Sequence, residues 1–223
     1  MKRLLFILTV IYLFIGLTQP ILAEEHTTTI NKLFAAEYTY EIYEVKDLQV
    51  RDLGAADDLS LTGHYDTSGI ALGVYVTGKY AFVADGGGGL QIIDISDPDN
   101  PSLTSTYDTP GTAYDIHVTG GYAYVADYSS GLQIIDVSDP ESPTLAGNYD
   151  WAGTAYAYGV YIYGGYAYVA IDSDFFTSYL WIIDVSDPES PSLSSDYIFT
   201  GDAKAVYVTG GYAYLACNNA GLF

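Results

Sequence analysis

The segment Val76-Thr-Gly-Lys-Tyr-Ala-Phe-Val-Ala-Asp85 decides the fold, because it returns three more times along the chain. The copies are Val118-Thr-Gly-Gly-Tyr-Ala-Tyr-Val-Ala-Asp127, Ile162-Tyr-Gly-Gly-Tyr-Ala-Tyr-Val-Ala170 and Val208-Thr-Gly-Gly-Tyr-Ala-Tyr-Leu-Ala216. Their matching tyrosines Tyr80, Tyr122, Tyr166 and Tyr212 are 42, 44 and 46 residues apart. A repeat of about 40–50 residues that is built from short strands indicates a β-propeller, with one four-stranded blade per repeat.

The second copy shows how one blade is divided into strands. Residue types alternate over Tyr114–Thr119 and Tyr122–Asp127, which predicts two strands joined by a tight Gly-Gly turn. Leu132–Asp136 is the predicted third strand, and Thr144–Asp150 the outermost fourth strand. Apolar residues occupy both phases of the inner strands, as expected of a sheet that is buried on both faces. The predicted class is therefore all-β, a β-propeller of four-stranded antiparallel blades.

A second recurring motif follows each third strand. It reads Asp97–Pro101, Asp139–Pro143 and Asp187–Pro191, and a serine precedes each copy. An aspartate before proline is held extended, and its carboxylate can accept backbone N–H groups in an Asx turn. This turn chemistry explains the motif, although carboxylates in this pattern could also bind a metal ion.

The repeat region begins and stops within a blade. Leu61–Gly69 matches Leu103–Gly111, so the region opens on an outermost strand. That strand either completes the last blade of a ring or is the tail of a degenerate earlier blade. At the other end, Gly221–Phe223 corresponds to Gly89–Gln91 at the start of a third strand. We therefore expect an incomplete propeller of three full blades plus part of a fourth, truncated at its C-terminus; residues 24–60 lack the repeat, and their fold is open.

Three copies of one strand carry a family resemblance. Leu90-Gln-Ile-Ile-Asp94, Leu132-Gln-Ile-Ile-Asp136 and Leu180-Trp-Ile-Ile-Asp184 resemble the core of the LVIVD repeat, and the resemblance covers residues 61–223. It implies an extracellular or cell-surface β-propeller of bacterial or archaeal type. The family has no established catalytic residues, so the resemblance implies a fold and little chemistry.

The first 23 residues have the pattern of a secretory signal peptide. Lys2 and Arg3 precede an uncharged apolar run over 4–17, and Ala23 provides a small residue for cleavage. An uncleaved anchor is the alternative, but the run is shorter than the ~20 residues that a spanning helix needs. We expect a secreted or cell-surface protein that meets a membrane only through an anchor not present in this chain.

Charge excludes one class of partner. The formal net charge is −21, and removal of the two basic residues of the predicted signal makes it −23. Binding to nucleic acid requires a basic stripe that displaces counterions from phosphates, and this chain has none. A solvated acidic surface explains the charge, and cations or basic partners are compatible with it.

The loop after the second strand supplies the candidate site. It lengthens in the third repeat to residues 171–179, on the face that also carries the connections between blades. Insertions at this place in a propeller usually hold the binding function. We hypothesise a binding surface with Ca²⁺ as a candidate ligand; the alternative is that the aspartates cap strands. Its metal candidates are Asp85, Asp127, Asp172 and Asp174, and its binding aromatics are Trp151, Phe175 and Phe176.

No catalytic constellation is evident in the sequence. His117 takes the place of a tyrosine in the other copies, which favours packing over catalysis. The leading hypothesis is a non-catalytic module without a required cofactor, which binds a protein or carbohydrate partner at the cell surface. The alternatives are a propeller enzyme that acts on extracellular polymers and a structural spacer of the cell envelope.

Overall fold

The computed structural model describes residues 47–52, 60–150, 155–173, 177–218 and 220–223, and all their regular secondary structure is β-strand. Within these ranges there is no apolar helix of the length needed to cross a membrane. The strands are β1 (Asp47–Asp52), β2 (Ser60–Asp66), β3 (Gly73–Thr77), β4 (Tyr80–Ala84), β5 (Leu90–Asp94), β6 (Ser102–Tyr107), β7 (Asp115–Thr119), β8 (Tyr122–Ala126), β9 (Leu132–Asp136), β10 (Thr144–Tyr149), β11 (Ala155–Tyr163), β12 (Tyr166–Ser173), β13 (Thr177–Asp184), β14 (Ser192–Thr200), β15 (Ala203–Thr209), β16 (Tyr212–Cys217) and β17 (Gly221–Leu222).

The strands form successive antiparallel sheets in chain order. Blade 1 is β3 to β6, blade 2 is β7 to β10, and blade 3 is β11 to β14. Blade 4 contains β15, β16 and the two-residue β17. The first strands of neighbouring blades contact one another, β3 with β7, β7 with β11 and β11 with β15, so they are the innermost strands. The predicted all-β propeller is therefore confirmed, and the strand bounds expected for blade 2 are correct to within one residue.

The core lies between blades rather than within one of them. Ile116 and Ile135 of blade 2 pack with Phe82 and Leu90 of blade 1, and all four side chains are buried. An equivalent cluster joins blade 2 to blade 3. Burial of each aliphatic side chain contributes roughly 1.5–3 kcal/mol, and this explains why the inner strands are apolar in both phases.

Strands β1 and β2 reveal a repeat that the sequence analysis did not find. Leu48 pairs with Tyr65 as Leu90 of β5 pairs with Tyr107 of β6. Both pairs of strands also contain a register shift between the second and third residues after the leucine. In this register Leu48-Gln-Val-Arg-Asp52 aligns with Leu90-Gln-Ile-Ile-Asp94, so β1 and β2 correspond to the third and fourth strands of a blade. Of the two alternatives for the opening strand, this alignment favours the degenerate earlier blade.

The outer strands β2, β6 and β10 each contact the proline-containing turn of the next blade. A small residue lies at the contact, because a proline carbonyl comes close to the strand there. A Cβ added to Gly63 or Gly147 would come within 2.3 Å of a proline oxygen. At the equivalent place, Ser105 donates a hydrogen bond of 2.6 Å to the proline carbonyl. The contacts join Gly63 to Pro98, Ser105 to Pro140 and Gly147 to Pro188.

Candidate functional site

The two ends of the strands form two different faces, which we name separately. The loop face holds the loops between second and third strands and the connections between blades, residues 66–72, 85–89, 108–114 and 127–131 in blades 1 and 2. The turn face holds the first hairpin turns and the proline-containing turns, residues 77–80, 94–101, 119–122, 136–143, 163–166 and 184–191. Of the predicted binding residues, Asp85, Asp127 and Asp172 belong to the loop face.

Asp85 closes the loop face of blade 1. Its side chain is fully buried after β4. Thr67 Oγ1 donates a 2.6 Å hydrogen bond to Asp85 Oδ1, and the Gly69 backbone N–H donates one of 2.7 Å to Oδ2. Ser68 Oγ also donates to Oδ2, at 3.4 Å. The carboxylate therefore holds the connection that leads into its own blade.

Asp127 repeats this arrangement in blade 2. Thr109 Oγ1 donates at 2.7 Å to Oδ1, and the Gly111 N–H donates at 2.8 Å to Oδ2. Burial raises the pKa of Asp127 to about 6, because the loss of solvent outweighs the two hydrogen bonds that favour the charged form. Hydroxyl and N–H donors surround both aspartates, and such donors satisfy a carboxylate without a metal ion.

Blade 3 is built differently at the same place. Ile171 takes the position of Asp85 and Asp127, and it is fully buried. The lengthened loop extends β12 and β13 to eight residues each, compared with five in the second and third strands of blades 1 and 2. The insertion thus adds a hairpin above blade 3, with Ser173 paired with Thr177 at its described end.

Asp172 lies in this hairpin and forms an ion pair. Its Oδ2 atom is 2.9 Å from Lys204 Nζ, which comes from the start of β15 in blade 4. The same ammonium lies 3.5 Å from the centroid of the Tyr158 ring. The hypothesised metal candidate is therefore engaged with a lysine that itself contacts an aromatic face.

A cluster of four tyrosines meets this ion pair through Tyr158. The Tyr128 and Tyr156 rings stack, with centroids 4.4 Å apart and planes inclined by 14°. Tyr114 and Tyr158 meet edge to face at 4.8 Å. Burial raises the pKa of Tyr158, and the neighbouring tyrosines raise it further. The cluster joins blades 2 and 3 at the loop face, and all four rings are half-buried.

Tyr128 has an uncommon backbone conformation. Its φ is 49°, which is rare for a bulky residue, and Gly86 at the matching place in blade 1 has a φ of 55°. Both residues form a backbone bridge to the next blade: Gly86 pairs with Ala113, and Tyr128 with Ala157. The bridge requires the left-handed conformation, and blade 2 accommodates a tyrosine there because its ring stacks on Tyr156.

Aromatic rings of the innermost strands form an arc across the four blades. Each pair of successive ring centroids is 4.8 Å apart. Burial, together with the neighbouring Tyr207, raises the pKa of Tyr161 to about 12. His117 lies between two of these tyrosines, as expected for a packing residue. The arc runs Tyr75, His117, Tyr161, Tyr207.

The remaining predicted site residues are not described. Asp174, Phe175, Phe176 and Trp151 lie outside the described residues, so their part in a binding surface stays a prediction. Within the described ranges, histidine, cysteine, aspartate and glutamate side chains do not come together in groups of three or more. Calcium binding at the loop face also stays a prediction.

The turn face carries a series of acidic turns. The Oδ1 atoms of Asp94, Asp136 and Asp184 accept the backbone N–H two residues later at 2.8–2.9 Å. A second Asx turn follows directly, as in Asp97, whose Oδ1 accepts the Asp99 N–H at 3.1 Å. Hydrogen bonds from Ser96 hold the pKa of Asp94 at about 2. The predicted Asx turns are therefore present in all three complete blades.

The tyrosine cluster and the lysine sites were missed by the sequence analysis. Lys204 and Tyr158 occupy the same place in successive blades, three residues before the aromatic residue of the innermost strand that belongs to the arc. Both are extra residues in the pairing of a first strand with a second strand, and an alignment by strand period does not mark them. Comparison of each blade position by position would have shown the change from Leu72 to Tyr114, Tyr158 and Lys204.

Comparisons with known proteins agree with the blades. A family model described as the LVIVD repeat matches residues 68–109, 110–151, 154–198 and 200–223. No curated protein matches the chain. Each match to the family model coincides with one blade, because residues 68–109 contain β3 to β6.

Solved structures resemble the chain in fold. The computationally designed Ika4 protein is 8% identical with a TM-score of 0.53, over 74% of this chain and 93% of that one. BamB from Moraxella catarrhalis is 12% identical with a TM-score of 0.53, over 80% of this chain and 59% of BamB. The Cps50 (Swd1) β-propeller domain from Myceliophteria thermophila is 10% identical with a TM-score of 0.51, over 72% and 55%. Identities this low show a shared fold alone.

Proposed function

Because the chain belongs to the LVIVD repeat family, we propose that it is an exported, non-catalytic β-propeller module that binds a protein or carbohydrate partner at the cell surface. The apolar run after Lys2 and Arg3 supports export, since it has the pattern of a secretory signal. The observation that supports the proposal most is the hairpin added on the loop face of blade 3, where it interrupts the repeat.

The composition of this part of the loop face suits a binding surface. Half-buried tyrosines lie beside the hairpin, and the Lys204–Asp172 ion pair contacts one of them, Tyr158. Tyrosine combines a large apolar ring with a polar tip, and it is enriched where proteins meet partners. Such rings also stack on sugars, so both partner classes are compatible with the face.

The buried carboxylates support a non-catalytic function. Asp85 and Asp127 accept hydrogen bonds from the connections of their own blades. Asp115 accepts the Val160 backbone N–H of the next blade at 2.9 Å. These groups therefore hold loops and strands together, whereas a general base needs a carboxylate that faces a substrate.

The proposal can be tested on intact cells with a photo-crosslinking residue. p-Benzoylphenylalanine in place of Thr177, at the base of the hairpin, should give a discrete cross-linked product after irradiation. The same residue in place of the exposed Asp196 on the outer strand β14 is the matched control, and it should give none. Mass spectrometry of the purified protein should also show cleavage after Ala23.

Two outcomes would contradict the proposal. Retention of an uncleaved chain inside the cell, where added protease does not reach it, would remove export. Identical products from positions 177 and 196 would remove the loop face as the binding surface.

A further inference from the structure

Blade 1 contains a bound lysine on its turn face. Lys79 Nζ is 3.1 Å from Asp94 Oδ2 and 4.9 Å from the centroid of the Tyr80 ring. Hydrogen bonding to Tyr80 and to Asp94 raises the pKa of Lys79. The tyrosine and the aspartate thus form a site for an ammonium group, and the chain itself supplies the occupant.

The same tyrosine–aspartate pair recurs in blades 2 and 3. In each blade the tyrosine opens the second strand, and it is paired across the sheet with the aspartate that ends the third strand. Each aspartate also uses Oδ1 for the backbone N–H two residues later, which leaves Oδ2 in the position that Lys79 binds in blade 1. The pairs are Tyr80 with Asp94, Tyr122 with Asp136, and Tyr166 with Asp184.

Glycine replaces the lysine in both of these blades. Gly121 and Gly165 occupy the place of Lys79, and both have a φ of 83°, whereas the φ of Lys79 is not positive. Each of the three carbonyls accepts the N–H of the residue after the paired aspartate, at 2.8–3.0 Å. A Cβ added to Gly165 would have nothing within 4 Å, so the space is open. Among the described residues of the turn face, Lys79 is the only lysine or arginine.

A groove runs between blades 2 and 3 beside these two pairs. Its cavity volume is about 530 Å³, and its walls include Tyr122, Tyr163, Gly165 and Pro188. Tyr163 is 51% exposed and stands where the other copies have threonine. The groove includes Tyr122 of the first pair and Val185, which follows Asp184 of the second, and its aromatic surface and open backbone suit a polypeptide segment rather than a free ion.

We propose that the turn face of blades 2 and 3 is a second binding surface, which takes lysine side chains of a partner polypeptide. One ammonium binds between Tyr122 and Asp136, and another between Tyr166 and Asp184. The chain's net charge of −21 attracts a basic partner. Lysine is favoured over arginine because Oδ1 is already occupied, so each carboxylate offers one oxygen instead of the two that a guanidinium prefers.

This surface lies on the opposite face from the hairpin of blade 3, so it goes beyond the proposed function. Its test is an NMR titration of the isotope-labelled chain with Nα-acetyl-lysine methylamide. We expect saturable shifts near Gly121 and Asp136 and near Gly165 and Asp184. The same compound acetylated on Nε, which has no charge, should produce no shifts. Equal shifts with both compounds, or shifts of the same size at Asp139 and Asp187, would overturn the proposal.

Variants that add a lysine to the chain give a sharper test. Gly121→Lys and Gly165→Lys copy the Gly78-Lys79 sequence of blade 1, and together they should weaken binding of the probe at least tenfold. Ser142→Lys with Ser190→Lys adds the same charge at exposed positions of the same two blades, and it should change the affinity less than twofold. Equal weakening by both double variants would mean general charge attraction and would overturn the proposal.

Lysine at position 121 or 165 could change the turn, because both glycines have a φ of 83° and lysine disfavours that region. Two further variants therefore test the site without a substitution at these glycines. Asp136→Asn with Asp184→Asn should weaken binding at least fivefold without altering the turn. Lys79→Gly should open a third site and raise the number of bound probes from two to three. Unchanged affinity in the first or unchanged stoichiometry in the second would refute the site, whatever the cross-linking at Thr177 shows for the loop face.

Discussion

Blades 1 and 2 close their loop face with polar side chains, whereas blade 3 closes it with apolar ones. In blades 1 and 2 the second strand is followed by a buried aspartate, and the third strand contains a buried glutamine. Blade 3 replaces both residues together, and its substitutes are buried as well. The polar pairs are Asp85 with Gln91 and Asp127 with Gln133, and the apolar pair is Ile171 with Trp181.

The reason for the difference is the number of backbone groups that each loop leaves without a strand partner. The short loops bend sharply, and side chains satisfy their groups: Gln91 Nε2 donates to Gly88 O at 2.8 Å, and Gln133 Nε2 to Ser130 O at 2.6 Å. The hairpin of blade 3 continues the ladder to Ser173 and Thr177, so its backbone satisfies itself. Polar side chains are required where the ladder stops early, and apolar ones suit the place where it continues.

The largest expected effect comes from placing the polar residue in the apolar blade. Ile171→Asp would bury a carboxylate beside Trp181, in a blade without the Asp-Thr-x-Gly connection that holds Asp85 and Asp127. We expect the free energy of unfolding to fall by more than about 3 kcal/mol, measured by urea denaturation. Ile171→Val, as the matched control, should cost about 1 kcal/mol. A similar loss in both variants would show that blade 3 tolerates the polar residue.

Removal of the Asp127 carboxylate should lower the free energy of unfolding somewhat less. Asp127→Ala leaves the Thr109 hydroxyl and the Gly111 N–H without their acceptor, and each unsatisfied buried group costs about 1–3 kcal/mol. We expect an overall loss of about 3 kcal/mol in chemical denaturation. Asp139→Ala on the exposed turn is the control, with a loss of about 0.5 kcal/mol. A loss as small as that of the control would mean that water replaces the carboxylate.

Blade 3 also has a buried polar contact at Ser178, and its removal should have a smaller effect. Ser178 is fully buried; its hydroxyl donates to the Gly201 carbonyl and accepts the Ala203 N–H at 3.2 Å. Ser178→Ala should lower the free energy of unfolding by about 1–2 kcal/mol. Ser192→Ala, at an exposed position of the same blade, should have almost no effect. If the two variants unfold alike, the connection into blade 4 does not depend on this hydroxyl.

The smallest effect is a pH dependence of opposite sign on the two faces. The folded pKa of Asp127, about 6, lies above its ordinary value of 3.8, so its contribution is fully present below pH 3.8 and is lost as the pH rises through 6. The pKa of Asp94 is lowered to about 2, so its contribution is present above pH 3.8 and is lost as the pH falls through 2.

Both pH dependences are measured as the free energy of unfolding of Asp127→Asn and of Asp94→Asn relative to wild type. The stability advantage of wild type over Asp127→Asn should decline between pH 4 and 7. Its advantage over Asp94→Asn should stay constant in that interval and decline below pH 3. An advantage over Asp127→Asn that grows with pH would mean that the hydrogen bonds from Thr109 and Gly111 outweigh burial.

The blades could be predicted because their information is local and repeated. Alternating strands, Gly-Gly turns and Asp-Pro turns recur in order, and each recurrence reinforces the assignment of the others. The earlier half-blade of β1 and β2 was missed, since Arg51 interrupts the apolar run that marks the third strand elsewhere. Its identity depends on cross-strand register, which only the paired backbone reveals.

The candidate site could be predicted only in part. The sequence placed Asp85 and Asp127 on the loop face. It did not distinguish a metal ligand from a carboxylate that accepts hydrogen bonds from its own loop, because that depends on the donors around the carboxylate. The pairing of Lys204 with Asp172 joins residues of different blades, and no local pattern encodes it. The lysine site of blade 1 depends on a sheet register that places Tyr80 opposite Asp94.

The contacts between outer strands and proline-containing turns have a mechanical consequence. Every junction between complete blades is fastened near the axis by the innermost strands, and again at the periphery where Ser105 or Gly147 meets a proline carbonyl. Because the two contacts lie at different distances from the axis, they oppose rotation of one blade away from its neighbour. A pulling force on one complete blade is therefore shared by its neighbour through both contacts.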